Sequence, residues 1–293
     1  MSDQPLVLPD PDDPRLTVAV EGVDENGAPV TASVVMERPL TLFLNGQEIV
    51  TLLTIGDHPE ELALGYLLNQ NMLLADDDVT GIEYDEELEV VVVRTARVTD
   101  YEAKLKKRVQ TSGCAQGTLF GDMMERFDEA HLPKDVRLHT ADLYPLVKRI
   151  NTCPSLYLKA GAIHGCALCQ GPDLLLYMED VGRHNAVDKI RGWMFRHGME
   201  GGDKTFYTTG RLTSEMVIKT VQMGIPILVS RSGFTASGVE LARRAGLTLV
   251  GRSRGRRFTV LSGAGRIVFD APPLHGGEDE DARFRRKASQ GDD

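Results

Sequence analysis

The chain has 293 residues, 42% of them hydrophobic, enough for one large domain or two ordinary ones with sizeable cores. Its formal net charge of -10 argues against a general binder of nucleic acid or anionic membrane, while leaving room for a local basic patch. No apolar run approaches a membrane span, and the opening MSDQPLVLPDPDDP lacks a basic-then-apolar leader pattern, so the expected compartment is the cytoplasm. There, four cysteines in so long a chain read as free thiols, ligands or catalytic groups rather than a disulfide framework.

Residues 1–13, rich in Pro and Asp, are expected to form a disordered tail, as is the charged segment 273–293. Residues 14–100 predict a small α+β domain. In SVVMERPLTLFLNGQEIVTLLTI two β-rich runs flank Asn45-Gly46, a hairpin signal. Asp57 is placed to cap a helix with Pro59, Glu60 and Glu61 in its first turn and Leu62, Leu64, Tyr66, Leu67 and Leu68 on its apolar face. A strand follows over Leu88 to Val93. Residues 101–139 are charged and weakly periodic; they read as a mobile, partly helical linker carrying Cys114.

From 140 to 272 the pattern alternates. It predicts helices over Ala141–Asn151, Asn185–Arg196, Ser214–Met223 and Gly238–Ala245, and strands over Leu174–Met178, Thr205–Thr208, Pro226–Ser230, Leu247–Val250 and Phe258–Leu261. Alternating strands and helices imply an α/β domain with a mostly parallel sheet covered on both faces, whose ligands bind at the carboxyl ends of the strands. Each such end carries arginine. EDVGRHNAVDK offers Glu179, Asp180, Gly182, Arg183 and His184; TGRLTSEM offers Gly210, Arg211, Thr213 and Ser214. SRSGFTASG offers Ser230, Arg231, Ser232, Thr235 and Ser237; GRSRGRR offers Arg252, Ser253, Arg254, Gly255, Arg256 and Arg257. Any one of these loops alone reads as solvated charge and helix caps. Four on one sheet edge point to an anion site for a phosphorylated, nucleotide-bearing ligand, because small residues bring backbone N–H groups close and Arg grips phosphate bidentately. There is no phosphate-loop or dinucleotide fingerprint.

Cys153, His164, Cys166 and Cys169 could ligate zinc, and Cys166-x-x-Cys169 has knuckle spacing. However, there is one knuckle rather than two, and the deaminase H-x-E pattern is absent, since Gly165-Cys166 follows His164. The alternative is that the pair packs in a core. Cys114, in TSGCAQGT with Lys106, Lys107 and Arg108 shortly before it, sits in a solvated, locally basic segment that favours a thiolate; it reads equally as a plain surface cysteine.

EDVGRHNAVDKIRG, the run TTGRLTSEMVIKTVQMGIPILVSRSGFTASGVELARRAGLTLVGRSRG and the earlier ERPLTLFLNG and DHPEELALGYLL resemble the formate dehydrogenase accessory sulfurtransferases, the FdhD family, over about residues 33 to 270. The resemblance implies a cytidine-deaminase-like three-layer domain without zinc chemistry and no structural metal. It implies a persulfide carrier that takes sulfur from a cysteine desulfurase and passes it to the molybdenum (or tungsten) bis-molybdopterin guanine dinucleotide, for the formate dehydrogenase catalytic subunit. Cys114 would be the carrier. The cofactor would be held by Arg252 to Arg257 together with Gly182, Arg183, His184, Gly210, Arg211, Ser230 and Arg231, with His184 and Asp180 orienting it or managing a proton. A homodimer is expected. A non-catalytic chaperone that binds and delivers the cofactor is the alternative; a zinc hydrolase built on His164, Cys166 and Cys169 is a third. The chain departs from the family pattern at Cys114-Ala115-Gln116-Gly117, where many members have Cys-x-x-Cys, at Cys166 and Cys169, where Ala is common, and at Gly233-Phe234, where Ala-Pro is usual. A single thiolate can still accept and hand on sulfur without a resolving partner.

Overall fold

The computed structural model describes residues 6–97 and 120–273. Cys114, residues 101–119 of the expected linker and nearly all of the expected C-terminal tail fall outside them. Residues 6–13, expected within a disordered tail, are placed: Val7 bridges to Leu176, and its carbonyl accepts from Tyr177 N at 2.9 Å.

Two strands that the sequence reading did not anticipate come first, β1 (Thr17–Val23) and β2 (Pro29–Val35), paired antiparallel. Their turn is built by Asp24, whose carboxylate accepts from Asn26 N and Ala28 N, each at 2.8 Å. The next hairpin forms where Asn45-Gly46 places it, between β3 (Arg38–Leu44) and β4 (Gln47–Thr54), with Asn45 in the left-handed region at φ 54°. With β5 (Val79–Asp85) and β6 (Val90–Thr95) they make a four-stranded sheet in the order β4-β3-β6-β5. Leu40, Leu42 and Leu44 alternate inward from β3 and meet Leu62, Leu64, Leu67 and Leu68 of helix α1 (Pro59–Asn69). Asp57 does not cap α1. The N-cap is His58, in the left-handed region with no side-chain capping bond to the helix backbone, and Asp57 turns to Lys189 instead.

Helix α2 (Phe120–Glu129) lies within the segment 101–139 read as a partly helical linker. It is followed by β7 (Leu138–His139), α3 (Thr140–Thr152) and the short α4 (Leu156–Ala160). The second sheet has six strands. β8 (His164–Gln170) and β9 (Asp173–Asp180) precede α5 (Arg183–Arg196). Then come β10 (Thr205–Thr208), α6 (Ser214–Gln222), β11 (Ile227–Ser230), α7 (Ala236–Ala245), β12 (Thr248–Arg254) and β13 (Arg257–Ser262). A 3-10 turn and β14 (Ile267–Val268), parallel to β7, complete the described chain.

The sheet order is β13-β12-β11-β10-β8-β9. The expected α/β class holds, and its parallel part is the centre, β10, β11 and β12. The flanks are antiparallel because two-residue turns join β8 to β9 and β12 to β13, a connection only antiparallel neighbours can share. Helices α5, α6 and α7 bury Val187, Ile190, Met216 and Ala242 against one face; α3 buries Leu143, Leu146, Val147 and Ile150 against the other. This is a three-layer arrangement.

The two sheets are joined through α1 and α5. A Cβ on Gly65 would fall 1.7 Å from the carbonyl oxygen of Asp188, and one on Gly192 would fall 1.9 Å from that of Glu61. Only glycines let the two backbones come this close. Around the contact, Asn69 Nδ2 donates to Asp188 Oδ1 at 2.6 Å, and Asn185 Nδ2 to the Leu53 carbonyl at 2.7 Å.

Candidate functional site

β10 and β11 run parallel, β9 runs the same way across β8, and so the ends Asp180, Thr208 and Ser230 share one sheet edge with the start of β8 at His164. The loops leaving this edge are fastened to it. Thr208 Oγ1 accepts from Gly210 N at 3.0 Å; Ser230 Oγ donates to the Gly210 carbonyl at 2.6 Å and accepts from Ser232 N at 2.9 Å. Ser230 is therefore a buried brace for the loops. Gly210 is needed for closeness, since a Cβ there would meet Arg183 Cδ at 3.0 Å. Arg183 lies across this loop at the first turn of α5, whose N-cap is Gly182.

Beside it is a cavity of about 370 Å³ lined by Tyr157, Gly161, Ile163, His164, Thr209 and Arg231. The Arg231 guanidinium stands 5.1 Å from the centre of the Tyr157 ring, a cation–π arrangement. His164 Nδ1 lies 3.4 Å from Thr209 Oγ1. Burial, and then the positive charges of Arg183 and Arg211, hold the His164 pKa below its ordinary value. His184 is held well below its ordinary range, first by burial and then by Lys219 and Arg183. Its Nε2 lies 3.2 Å from Glu215 Oε2. The edge thus combines guanidinium groups, neutral imidazoles, close-packed backbone and the amino end of a fourteen-residue helix, which suits an anion.

Gly182, Arg183, His184, Gly210, Arg211, Ser230 and Arg231 are accordingly gathered at one edge. The segment Arg252 to Arg257 is not the loop that the sequence suggested. It is the end of β12, a Gly255-Arg256 turn and the start of β13. Arg252 N donates to the Ser232 carbonyl at 2.7 Å, which keeps the base of this hairpin beside the edge. Ser253 is buried, while Arg256 turns away, over the Tyr144 ring of α3 and onto the Pro272 carbonyl at 3.3 Å. Phe234 packs on Gly251, where a Cβ would stand 2.4 Å from its ring.

Sequence reasoning missed Tyr157 and Thr209 and weighed His164 as a zinc ligand alone; recognising β8 as a strand would have put His164 at the edge. The same strand separates the cysteine pair. Cys166 packs with Leu168 under α5 and α6, and Cys169 packs with Ala167 under α3, so their sulfurs lie on opposite faces and cannot share a tetrahedral ion. Burial pushes the Cys166 thiol up to about 12 and the Cys169 thiol higher. Neither is a ready thiolate.

Within EDVGRHNAVDK the acids and the lysine point inward. Asp180 accepts from Thr54 Oγ1 at 2.5 Å, Asn185 Nδ2 at 2.9 Å and Gly182 N at 3.1 Å, and pairs with Lys189 at 2.6 Å. Lys189 also binds Asp57 and the Glu179 carbonyl. Asp188 pairs with Lys219 at 2.9 Å, both fully buried, and Lys219 lies 3.9 Å from Glu215, which in turn reaches His184. Glu179 accepts from Leu156 N at 2.7 Å and Tyr157 N at 3.2 Å, fixing α4 and hence Tyr157 under Arg231; burial raises its carboxyl to about 7.

Comparison with known proteins agrees over nearly the whole described chain. Residues 35–268 match the FdhD/NarQ family. Among similar relatives, the sulfur carrier protein FdhD of Listeria innocua is 31% identical over 248 residues, covering 82% of this chain and 93% of that one. The sulfur carrier protein FdhD of Bacillus subtilis is 31% identical over 234 residues, covering 80% and 89%. A crystal structure of a candidate formate dehydrogenase accessory protein from Desulfotalea psychrophila superposes with a TM-score of 0.71 at 27% identity, covering 86% of this chain and all of that one. The chain belongs to the FdhD/NarQ family.

Proposed function

We propose that this protein is a sulfur carrier in the maturation of formate dehydrogenase. It takes sulfur as a persulfide from a cysteine desulfurase and passes it to the molybdenum (or tungsten) bis-molybdopterin guanine dinucleotide, its substrate. The observation that carries this reading is the gathering of Arg183, Arg211 and Arg231 with His164 at one sheet edge in a chain of this family. Arg183 and Arg211 suit the diphosphates of a guanine dinucleotide, and Arg231 on Tyr157 offers a cation-bearing aromatic surface beside them. Neutral His164, in the cavity wall, can accept a hydrogen bond from the ligand without adding charge, while buried His184 holds its position against Glu215 behind it.

Cys114 is the carrier in this reading, since Cys166 and Cys169 are buried with raised pKa values. Its thiolate attacks the outer sulfur of the donor persulfide. A new Cys114 S–S bond forms, the donor's S–S bond breaks, and the donor cysteine leaves as thiolate, with no net oxidation. The Cys114 S–S bond then breaks, Cys114 leaving as thiolate and the outer sulfur passing to the metal of the substrate as a sulfide ligand, with the two electrons this requires supplied by the reduced metal centre or by a thiol reductant.

The test is mass spectrometry of peptides after incubation with a cysteine desulfurase and cysteine. The expected result is one added sulfur on the Cys114 peptide and loss of formate dehydrogenase maturation in Cys114→Ser. Full maturation by Cys114→Ser with cofactor binding intact would replace the carrier by a cofactor-delivering chaperone. Sulfur on the Cys166 and Cys169 peptide would overturn the assignment of the thiol.

A further inference from the structure

The amino edge of the six-stranded sheet, opposite the site above, holds a larger cavity of about 640 Å³. Gly246, which ends α7 just before β12, forms one wall with Gly263 and Gly265, which follow β13; the chain between α2 and β7 forms the other. Its volume is that of a small-molecule site. Its lining carries Lys134, Arg137, Arg244 and Arg266 against one carboxylate, Asp128, a surplus of three positive charges in a chain of net charge -10.

The three guanidinium groups are held in place, and the set is poorly neutralised. Asp128 is committed to Arg244, whose guanidinium also stands 5.9 Å from the Phe127 ring. Arg266 is clamped by uncharged acceptors: its Nη1 donates to Gly246 O at 2.7 Å and to Thr248 Oγ1 at 3.3 Å, and its Nη2 to Pro133 O at 2.6 Å. Its Nε is buried with no partner among the described residues. Arg137 likewise donates to carbonyls, those of Lys134 at 2.9 Å and Val136 at 3.1 Å. Among the described residues no carboxylate lies within ion-pair distance of Lys134, Arg137 or Arg266. Burial and then the charge of Arg137 lower the proton affinity of Arg266, with Asp135 opposing them only from a distance. Like charges gathered in a concave, partly dry wall repel one another, and this is relieved when a multiply charged anion enters. Guanidinium groups fixed by backbone carbonyls keep N–H groups for such a ligand without a further entropic cost of ordering. Leu132 and Ala245 give the cavity an apolar floor, so the ligand has a body as well as charge.

We infer that this cavity is a second anion site, separate from the carboxyl edge, which takes a small ligand bearing a di- or polyphosphate group. A single carboxylate would leave two of the three surplus charges unmatched, which is why the phosphate class fits better.

The test uses the full chain and inorganic pyrophosphate as probe, read by hydrogen–deuterium exchange of peptides, with a chloride control at equal ionic strength. Lys134→Gln/Arg137→Gln removes two exposed cations; Arg137 donates only to carbonyls of its own loop, so the fold is expected to keep its melting temperature. Pyrophosphate is expected to slow exchange several-fold in residues 129–138 of the wild type, and this slowing is expected to vanish in the double variant while any slowing in residues 209–214 persists. No slowing in 129–138 at saturating pyrophosphate, equal slowing with chloride, or slowing unchanged in the double variant would each overturn the assignment. Because residues 209–214 report the carboxyl edge independently, failure here is distinguishable from failure of the sulfur-carrier reading.

Discussion

Gly192→Ala tests whether the α1–α5 contact is what joins the two sheets. The added Cβ would stand 1.9 Å from the carbonyl oxygen of Glu61, 2.7 Å from its carbon and 2.9 Å from its Cα. These are backbone atoms of α1, so no rotamer change relieves the clash. Restoring ordinary contact needs the helices to part by roughly 1.5 Å, given carbon contact distances of about 3.5 Å. Overpacking of this kind costs about 1–3 kcal/mol. Parting the helices also stretches the 2.6 Å bond from Asn69 to the Asp188 carboxylate, a charged hydrogen bond worth about 1.5–3 kcal/mol. Alanine's better helix propensity returns about 1 kcal/mol. The net loss is about 1.5–5 kcal/mol, which for a chain of this size lowers Tm by roughly 3–20 °C. The assay is thermal unfolding followed by circular dichroism. Gly233→Ala is the control, because a Cβ there meets nothing within 4 Å. If Gly192→Ala melts within roughly 2 °C of the wild type, as Gly233→Ala is expected to do under the ±0.5 kcal/mol usual for surface changes, the close-approach argument fails.

Other consequences follow from the buried charges and thiols. Asp188→Asn leaves Lys219 charged in the interior and should cost about 3–5 kcal/mol in urea unfolding; Asp188→Asn/Lys219→Met should recover part of the loss, and a silent single variant would refute the pairing. Glu179 has a folded pKa near 7, above the ordinary 4.5, so its protonated form favours folding: its contribution is whole below about pH 4.5 and is lost as pH rises through 7. Glu179→Gln, which mimics the protonated acid, should therefore gain up to about 3 kcal/mol relative to wild type between pH 4.5 and 8, and parallel pH–stability curves for the two proteins would contradict this. Iodoacetamide at neutral pH should leave Cys153, Cys166 and Cys169 unlabelled in the native protein and label all three in denaturant, because burial raises each thiol, Cys153 to about 11; rapid native labelling of Cys166 would show that its burial is overstated.

Much of the fold could be read in advance where local chemistry is decisive. Asn45-Gly46 places its hairpin because the turn needs a left-handed residue, and the helices from Thr140 onward show one apolar face each. β8 escaped because HGCALCQ is buried on both faces and made of small residues, so neither alternation nor β-branching marks it. β1 and β2 escaped for the opposite reason: Val18, Val20, Val30 and Val34 stay exposed, so no core dictates their pattern. Asp57 has the right local context for a cap, yet Lys189, 132 residues away, takes it. The cap rule considers only near neighbours and cannot see that partner.

The same limit explains the reading of EDVGRHNAVDK. In sequence its acids and its Arg-His pair lie on one loop and look like one ligand-facing group. In the fold they separate. Asp180 and Asp188 turn inward to Lys189 and Lys219, across sequence gaps no local pattern records, and Glu179 turns to the start of α4. Buried lysines need such partners, since an unpaired ammonium in the interior is far more costly than a paired one. With the acids committed there, the charges that dominate around His164 are those of Arg183 and Arg211, with Asp180 opposing them more weakly. A chain of net charge -10 thereby gathers guanidinium groups at one sheet edge while its Asp180 and Asp188 carboxylates are paired with buried lysines, which is the arrangement the proposed phosphate-bearing substrate would need.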